Sequence, residues 1–311
     1  MDKREFAQQR WRDHRRLYNY SGLLHKTISS IKIEKEGVYF ETRFGTSFLV
    51  NEADPRNNPV EALNFGSLEG WDEFACHVLA SESQSFIDVG ANIGWFSCNV
   101  AKAHPSLEHV LAIEPLPAAH RFLEKNIDLN NLGERVQLVR AACGSVSGSK
   151  EILWDETELG ASSFFNILER PNPKKVAVPV VTLDSLLAGI KSEGTCLLKI
   201  DVEGSELECL LGAEGILATK RPLIYMELVR KWAKKAGHEI NAIIQLLTKN
   251  GYQGYRTYKG SLVNFHEMTN TIANTNFIFF PSEKSSLAAK IKKKMASEKY
   301  RANYSFLTEK Q

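Results

Sequence analysis

Apolar residues in the middle of this chain fall into short runs that alternate with segments of helical spacing. The runs lie at 86–89, 110–113, 136–142, 196–200 and 223–226. Between them, Ala119, Leu123 and Ile127 recur at four-residue spacing, Leu207, Leu210 and Leu211 follow the 196–200 run, and Ile240, Ile243, Ile244 and Leu247 form a helical stripe closed by Asn250-Gly251. Runs too short for helices, regularly separated by amphipathic helices, predict a mostly parallel sheet covered by helices on both faces. Residues 252–258 and 275–280 supply two further strands as an antiparallel edge, which makes seven. Ahead of this, residues 31–50 alternate in strand fashion, broken at Glu36-Gly37 and Phe44-Gly45-Thr46, and predict a small antiparallel meander. Residues 54–59 read as a loop and 69–80 as a helix. Residues 145–179 are less regular, with one candidate strand at 152–154, and insertions of this kind carry substrate contacts or a lid. The expected organisation is an extension at 1–68, a main domain at 69–281 and a Lys-rich tail at 282–311 read as a frayed, solvated helix. Residues 1–20, rich in Arg and aromatics, read as a solvated helix. A membrane-surface contact through these basic termini is the less favoured reading.

Composition narrows the class without naming a chemistry. The 311 residues are 43% hydrophobic and 24% charged, enough for a sizeable core. A net charge of +2 gives no electrostatic argument for a nucleic-acid partner. Five widely spaced cysteines without C-x-x-C suggest neither a disulfide framework nor a zinc site. No apolar run approaches the roughly 18 residues of a membrane helix, so a soluble protein of a reducing, cytoplasmic compartment is expected. The oligomeric state is open.

The chemistry begins at residues 86–94, an apolar run that passes Asp88 and enters a loop with glycines at positions 90 and 94. Strand, Gly loop and helix in that order build a crevice at the carboxyl edge of a parallel sheet. Neither frame of the loop fits G-x-G-x-x-G, and no Gly-Lys-Ser/Thr follows. What stands there is Asp-x-Gly-x-x-x-Gly. An acid at the strand end repels a pyrophosphate but suits a ligand carrying an ammonium and a sulfonium, and the pattern is similar to S-adenosylmethionine sites in Rossmann-like methyltransferases. Twenty residues past Gly94, Glu114 closes the next strand, placed to accept both ribose hydroxyls. Asp201, Glu203 and Glu227 also fall at or just past strand ends, so five carboxylates should converge on one crevice.

Taken together, Asp88-Val89-Gly90-Ala91-Asn92-Ile93-Gly94, Glu114-Pro115 with Asn126 to Asn130 downstream, Val181-Thr182-Leu183-Asp184, and the block from Lys199 through Asp201-Val202-Glu203-Gly204 to Leu207 resemble the FkbM-type methyltransferases, as does Glu227 closing the following strand. The resemblance covers roughly residues 69–281. It implies a Rossmann-like class I methyltransferase fold and S-adenosylmethionine-dependent O-methylation, often of hydroxyls on sugars or polyketide-like metabolites. The acceptor is then a small molecule or glycan. Cofactor contacts are expected from Asp88, Gly90, Ala91, Asn92, Gly94, Glu114, Pro115 and Ala142.

An alcohol is protonated at neutral pH, so transfer needs a base, typically worth about 10²–10⁴-fold. Asp201 or Glu203 is expected in that role, with Glu227 third and His238 and His266 weaker. Glu203 has a competing role as a cap of the helix it precedes. The sequence demands no metal. The competing functions are a methyltransferase with a nitrogen acceptor, a nucleotide-sugar enzyme, and a binding or scaffold protein that keeps the fold without turnover. A nucleic-acid N-methyltransferase would show Asn/Asp-Pro-Pro-aromatic where this chain has Asp-Val-Glu-Gly.

Overall fold

The computed structural model describes residues 2–24, 26–188 and 194–308, and for residues 9, 12–14 and 16–18 the backbone alone. Fourteen strands occur among them, in three sheets. The meander is β1 (Ile28–Glu34), β2 (Gly37–Thr42) and β3 (Ser47–Leu49), antiparallel throughout. The central sheet holds β4 (Ser85–Val89), β5 (His109–Ile113), β6 (Val136–Val139), β10 (Cys196–Ile200), β11 (Leu223–Glu227), β12 (Tyr252–Tyr258), β13 (Ser261–Phe265) and β14 (Asn276–Pro281). A third sheet is made by β7 (Ala142–Cys143), β8 (Gly148–Trp154) and β9 (Lys174–Val181).

The central order is β13-β12-β14-β11-β10-β4-β5-β6, with β11 through β6 parallel and the remaining strands antiparallel. From β4 the chain proceeds through β5 to β6 on one side and then returns to build β10 and β11 on the other. The strand order therefore reverses between β4 and β10, and a crevice opens at their carboxyl ends. All five residues of β4 are buried, as expected for a strand covered on both faces. One face packs on the helices Trp95–Ala103 and Trp71–Ala80, the other on Ile240–Lys249, whose Ile240, Ile243, Ile244 and Leu247 are the expected stripe.

Three expectations are corrected. The central sheet has eight strands rather than seven, because Lys259 and Gly260, both at positive φ, turn β12 into β13. The 136–142 run splits: β6 stays in the central sheet, while Ala142 moves to the third sheet, whose antiparallel β8 and β9 bracket the segment read as irregular. The Lys-rich tail is not a frayed helix, because one face of it is packed. Its helix Ser285–Ala296 buries Ala288, Ile291 and Met295 in the core shared with the meander's Ile28, Phe40 and Phe48, while Lys290 and Lys294 pair with Glu82. At the other end, the helix Lys3–Ser21 leaves Phe6, Trp11 and Tyr20 about half exposed.

Candidate functional site

The loop after β4 is shaped by two glycines for different reasons. Gly90 sits at φ +82°, and a Cβ there would lie 1.7 Å from the Asp201 carbonyl oxygen, so the ends of β4 and β10 can meet only over a bare backbone. Gly94, at φ +88°, faces Leu123 and Cys98 instead, where a Cβ would stand 2.6 Å from Leu123 Cδ1. It serves helix packing and does not line the crevice. Between them, the Gly90 and Ala91 amides donate to the Ile113 carbonyl at 3.0 Å, and the Asn92 amide donates to Glu114 Oε2 at 2.9 Å. Glu114 Oε1 takes the Leu116 amide at 2.8 Å. Burial nonetheless pushes the Glu114 carboxyl up to about 7, against the pull of those two amides.

The crevice is a half-open cavity with about 820 Å³ of space between its walls, open solvent included. Gly90, Ala91, Asn92, Glu114, Pro115 and Ala142 line it, with Asp201 and Glu203, as do Trp95, Phe96, Ile113 and Lys199. Asn58, Leu68 and Glu69 close it from the N-terminal side, and Ile152, Leu159, Gly160, Ser163 and Phe164 from the inserted sheet and its loop. The covering pieces are tied together: Asp54 Oδ2 accepts the Leu159 amide at 3.0 Å, and Asn92 Nδ2 donates to Asn58 Oδ1 at 3.2 Å. Asn126 and Asn130 prove to be braces. Asn126 Nδ2 donates to the Ile93 carbonyl at 2.8 Å while its Oδ1 accepts the Leu49 amide, and Asn130 pairs both ways with Ser47, so the Gly loop is pinned to the meander.

Asp88 departs from expectation. It is fully buried beneath the cavity wall, 3.2 Å from Lys199 Nζ, and accepts the Ser97 hydroxyl at 2.7 Å. Lys199, itself 2% exposed, also reaches Asp201 Oδ2 at 3.3 Å and lies over the Phe96 ring. The two carboxylates hold its ammonium group well above the usual lysine range despite burial. A lysine inside an apolar strand was the visible signal: a buried ammonium needs acids nearby.

The other acids gather at the ends of β10 and β11. Asp201, Glu203 and Glu227 bring carboxylate oxygens within 4.8 Å of one another, although Glu227 is not itself a cavity-lining residue. Glu203 is presented by a left-handed turn (φ 52°) followed by Gly204 at φ +99°. Glu203 does not cap the helix Glu206–Leu211: Glu206 Oε1 reaches back to accept the Gly204 amide at 3.0 Å, and the Glu203 carboxyl is left toward the cavity with Oε2 buried and unpartnered. Burial, then the charge of Asp201, pushes Glu203 well above the carboxylate range, and Glu227 up to about 10. Such a set of oxygens can hold shared protons or a hard divalent cation. His238 lines no part of this cavity, and neither does His266.

An S-adenosylmethionine molecule fits this donor set on two observations. Asn92 Oδ1 is buried at the cavity wall without a partner, beside the Glu114 carboxylate. Around them Ile113, Ala142, Ile152 and Phe164 give an apolar enclosure suited to a purine.

The methyltransferase FkbM domain matches residues 88–253, more than half of the chain. A methyltransferase of Sordaria araneosa, sdnD, is 29% identical over 168 residues, covering 45% of this chain and 64% of that protein. Methyltransferase 1 of Beauveria bassiana is 26% identical over 145 residues, covering 41% and 57%. The chain thus matches less than two thirds of the length of either relative. Among solved structures, the methyltransferase FkbM of Methylobacillus flagellatus KT shares 18% identity at a TM-score of 0.41 over 64% of this chain and 44% of that one, a likeness too loose to carry argument. With the matched segment running from the Gly loop to β12 and enclosing Glu114, Asp201, Glu203 and Glu227, the chain belongs to the FkbM methyltransferase family.

Proposed function

We propose that this protein is an S-adenosylmethionine-dependent O-methyltransferase of a sugar, glycan or secondary metabolite, acting in the cytoplasm. The observation that carries the reading is the meeting of two features at one cavity: a Gly loop whose amides hold the buried Glu114, and the Asp201–Glu203–Glu227 carboxyl group a short way along the same sheet edge. Glu114 and Asn92 would hold the ribose, with Ala142 and Pro115 beside the purine. When bound, the cofactor supplies an electrophilic sulfonium methyl. The chain's contribution is alignment of the acceptor oxygen with that carbon, which can supply about 7–11 kcal/mol, and removal of the acceptor proton.

Asp201 is the base in this reading. Glu203 and Glu227, both pushed up by burial and then by the charge of Asp201, act in this reading as protonated hydrogen-bond donors to the acceptor. Asp201 instead takes a bond from the Lys199 ammonium and is the more exposed of that pair. The test is binding of S-adenosylmethionine followed by transfer of labelled methyl to a panel of sugars and hydroxylated metabolites. Asp201→Asn should lower kcat by about 10²–10⁴-fold with cofactor affinity retained, and Glu203→Gln and Glu227→Gln should cost less. Absence of cofactor binding by the folded protein would sink the reading, and transfer to amines alone would move it to a nitrogen acceptor.

A further inference from the structure

Glu69 lies ahead of the family-matched segment, just before the helix Trp71–Ala80, and its side chain lines the cavity. It is fixed there by Tyr225, whose hydroxyl donates to Glu69 Oε2 at 2.6 Å. Among the described residues no lysine, arginine or histidine forms an ion pair with it, and the nearby Lys199 is engaged by Asp88 and Asp201. Glu69 is thus an oriented carboxyl at a ligand cavity with no cation of its own. Tyr225 belongs to β11, and Glu114 closes β5. Between them stand β10 and β4, so the strand whose Tyr225 holds Glu69 lies three spacings of about 4.8 Å each from the strand that Glu114 closes. Both side chains line the same cavity, and an extended chain from a ribose to an amino-acid terminus bridges such a gap.

Resting on the methyltransferase reading, we propose that Glu69 receives the α-ammonium group of the bound S-adenosylmethionine. Asp88, the acid the sequence nominates for the cofactor, is paired with the Lys199 ammonium at 3.2 Å, accepts the Ser97 hydroxyl and is fully buried without lining the cavity. Glu69 takes its place from outside the matched domain. Burial, reinforced by the charge of Asp201, pushes its carboxyl up to about 8, so it stands mostly protonated at pH 7 when no cation is near. The groups facing it are Tyr225, Lys199, Asp201, Glu73 and, farther off, Glu227 and Cys76. An arriving ammonium converts it to a carboxylate, and the proton leaves to buffer.

The test is calorimetric titration of wild type, Glu69→Gln and Tyr225→Phe with S-adenosylmethionine, S-adenosylhomocysteine and 5′-methylthioadenosine, the last lacking the amino-acid end. A charge-assisted bond of this kind predicts that Glu69→Gln loses about 10- to 100-fold in affinity for the first two ligands and nothing for the third. Tyr225→Phe, which keeps the carboxyl but frees it, should show the same discrimination at smaller size. In buffers of different ionisation enthalpy, wild type should release close to one proton on binding S-adenosylmethionine at pH 7, and Glu69→Gln should release markedly less. Equal losses for all three ligands, or full affinity for S-adenosylmethionine in Glu69→Gln, would overturn the assignment while leaving the methyltransferase reading in place. Wild type binding none of the three would overturn both.

Discussion

Replacing Lys199 by methionine isolates the charge at the centre of the site, because the thioether fills much of the lysine stem's volume and removes only the ammonium. Asp88 would then be a carboxylate with no exposure, bonded to the Ser97 hydroxyl and to no cation. Removing one partner of a buried ion pair costs about 3–5 kcal/mol, and the Ser97 bond places this case near the lower end, at about 3 kcal/mol. Asp201 contributes little to the loss, since its side chain is 27% exposed and turns to water. Urea unfolding at pH 7 reads the effect as a midpoint lower by about 1 M, for a slope near 3 kcal/mol per molar. The double variant Asp88→Asn/Lys199→Met should recover most of it, because two neutral groups need no compensation. The pH sign also follows. Lys199 is raised from its ordinary value of 10.5, so its ionised form contributes fully below that pH and is lost only in stronger alkali. Wild type should show no lysine-linked slope between pH 5 and 9. A loss below about 1 kcal/mol in Lys199→Met, or a double variant as weak as the sum of the singles, would refute the ion-pair argument.

Other perturbations test separate parts. Gly90→Ala should lose at least about 3 kcal/mol or fail to fold, read by thermal melting, since its Cβ meets the Asp201 carbonyl at a left-handed φ. Glu114→Gln should weaken S-adenosylmethionine binding by about 10- to 100-fold in calorimetry, as a charged acceptor for the ribose becomes neutral. Glu73, fully buried with Trp95 Nε1 donating to it at 2.8 Å, is pushed by burial from 4.5 up to about 7, so the folded state keeps a proton that the unfolded chain loses. Stability should therefore fall by about 2–3 kcal/mol from this group as pH rises through that window, flatten above it, and fall less in Glu73→Gln. The His77–His104 pair acts oppositely, because burial lowers His104 to about 4 and the unfolded chain takes up protons first below pH 6.5; melting temperature should drop on that acid side.

What was legible in the sequence is what steric necessity writes locally. Gly90 and Glu114 stood out because a strand-to-helix turn needs a left-handed residue and because an acid closing the next strand falls at a set distance. The stripe of Ile240, Ile243, Ile244 and Leu247 was equally local. The misread pieces depend on partners far along the chain. Asp88 looks like a ligand acid until Lys199, more than a hundred residues later, is seen across β4 and β10 at 3.2 Å. Ala288, Ile291 and Met295 carry a helical stripe, but the lysines among them hide it until Glu82 accounts for two of those charges. The β12–β13 turn uses Lys259-Gly260 rather than the Asn-Gly that marks such hairpins. Glu69 gave no signal, since its role depends on Tyr225 holding it at the cavity wall.

Counting acids at strand ends therefore overstates the charge a ligand meets. Asp88 and Asp201 share the one Lys199 ammonium. Burial and the charge of Asp201 push Glu203 and Glu227 toward their protonated forms, and Glu69 and Glu114 are pushed up to about 8 and about 7. A cavity with many fixed carboxylates would repel an acidic acceptor and bind cations without discrimination. One whose carboxyls ionise only when a partner arrives matches its charge to the ligand. On the proposed function, a sulfonium with an ammonium at one end and ribose hydroxyls at the other would meet an acid near each, and the acceptor would meet hydrogen-bond donors with a single base. On this reading the cluster's crowding is functional: burial and the charge of Asp201 push Glu203 and Glu227 toward their neutral forms, which leaves Asp201 to take the proton.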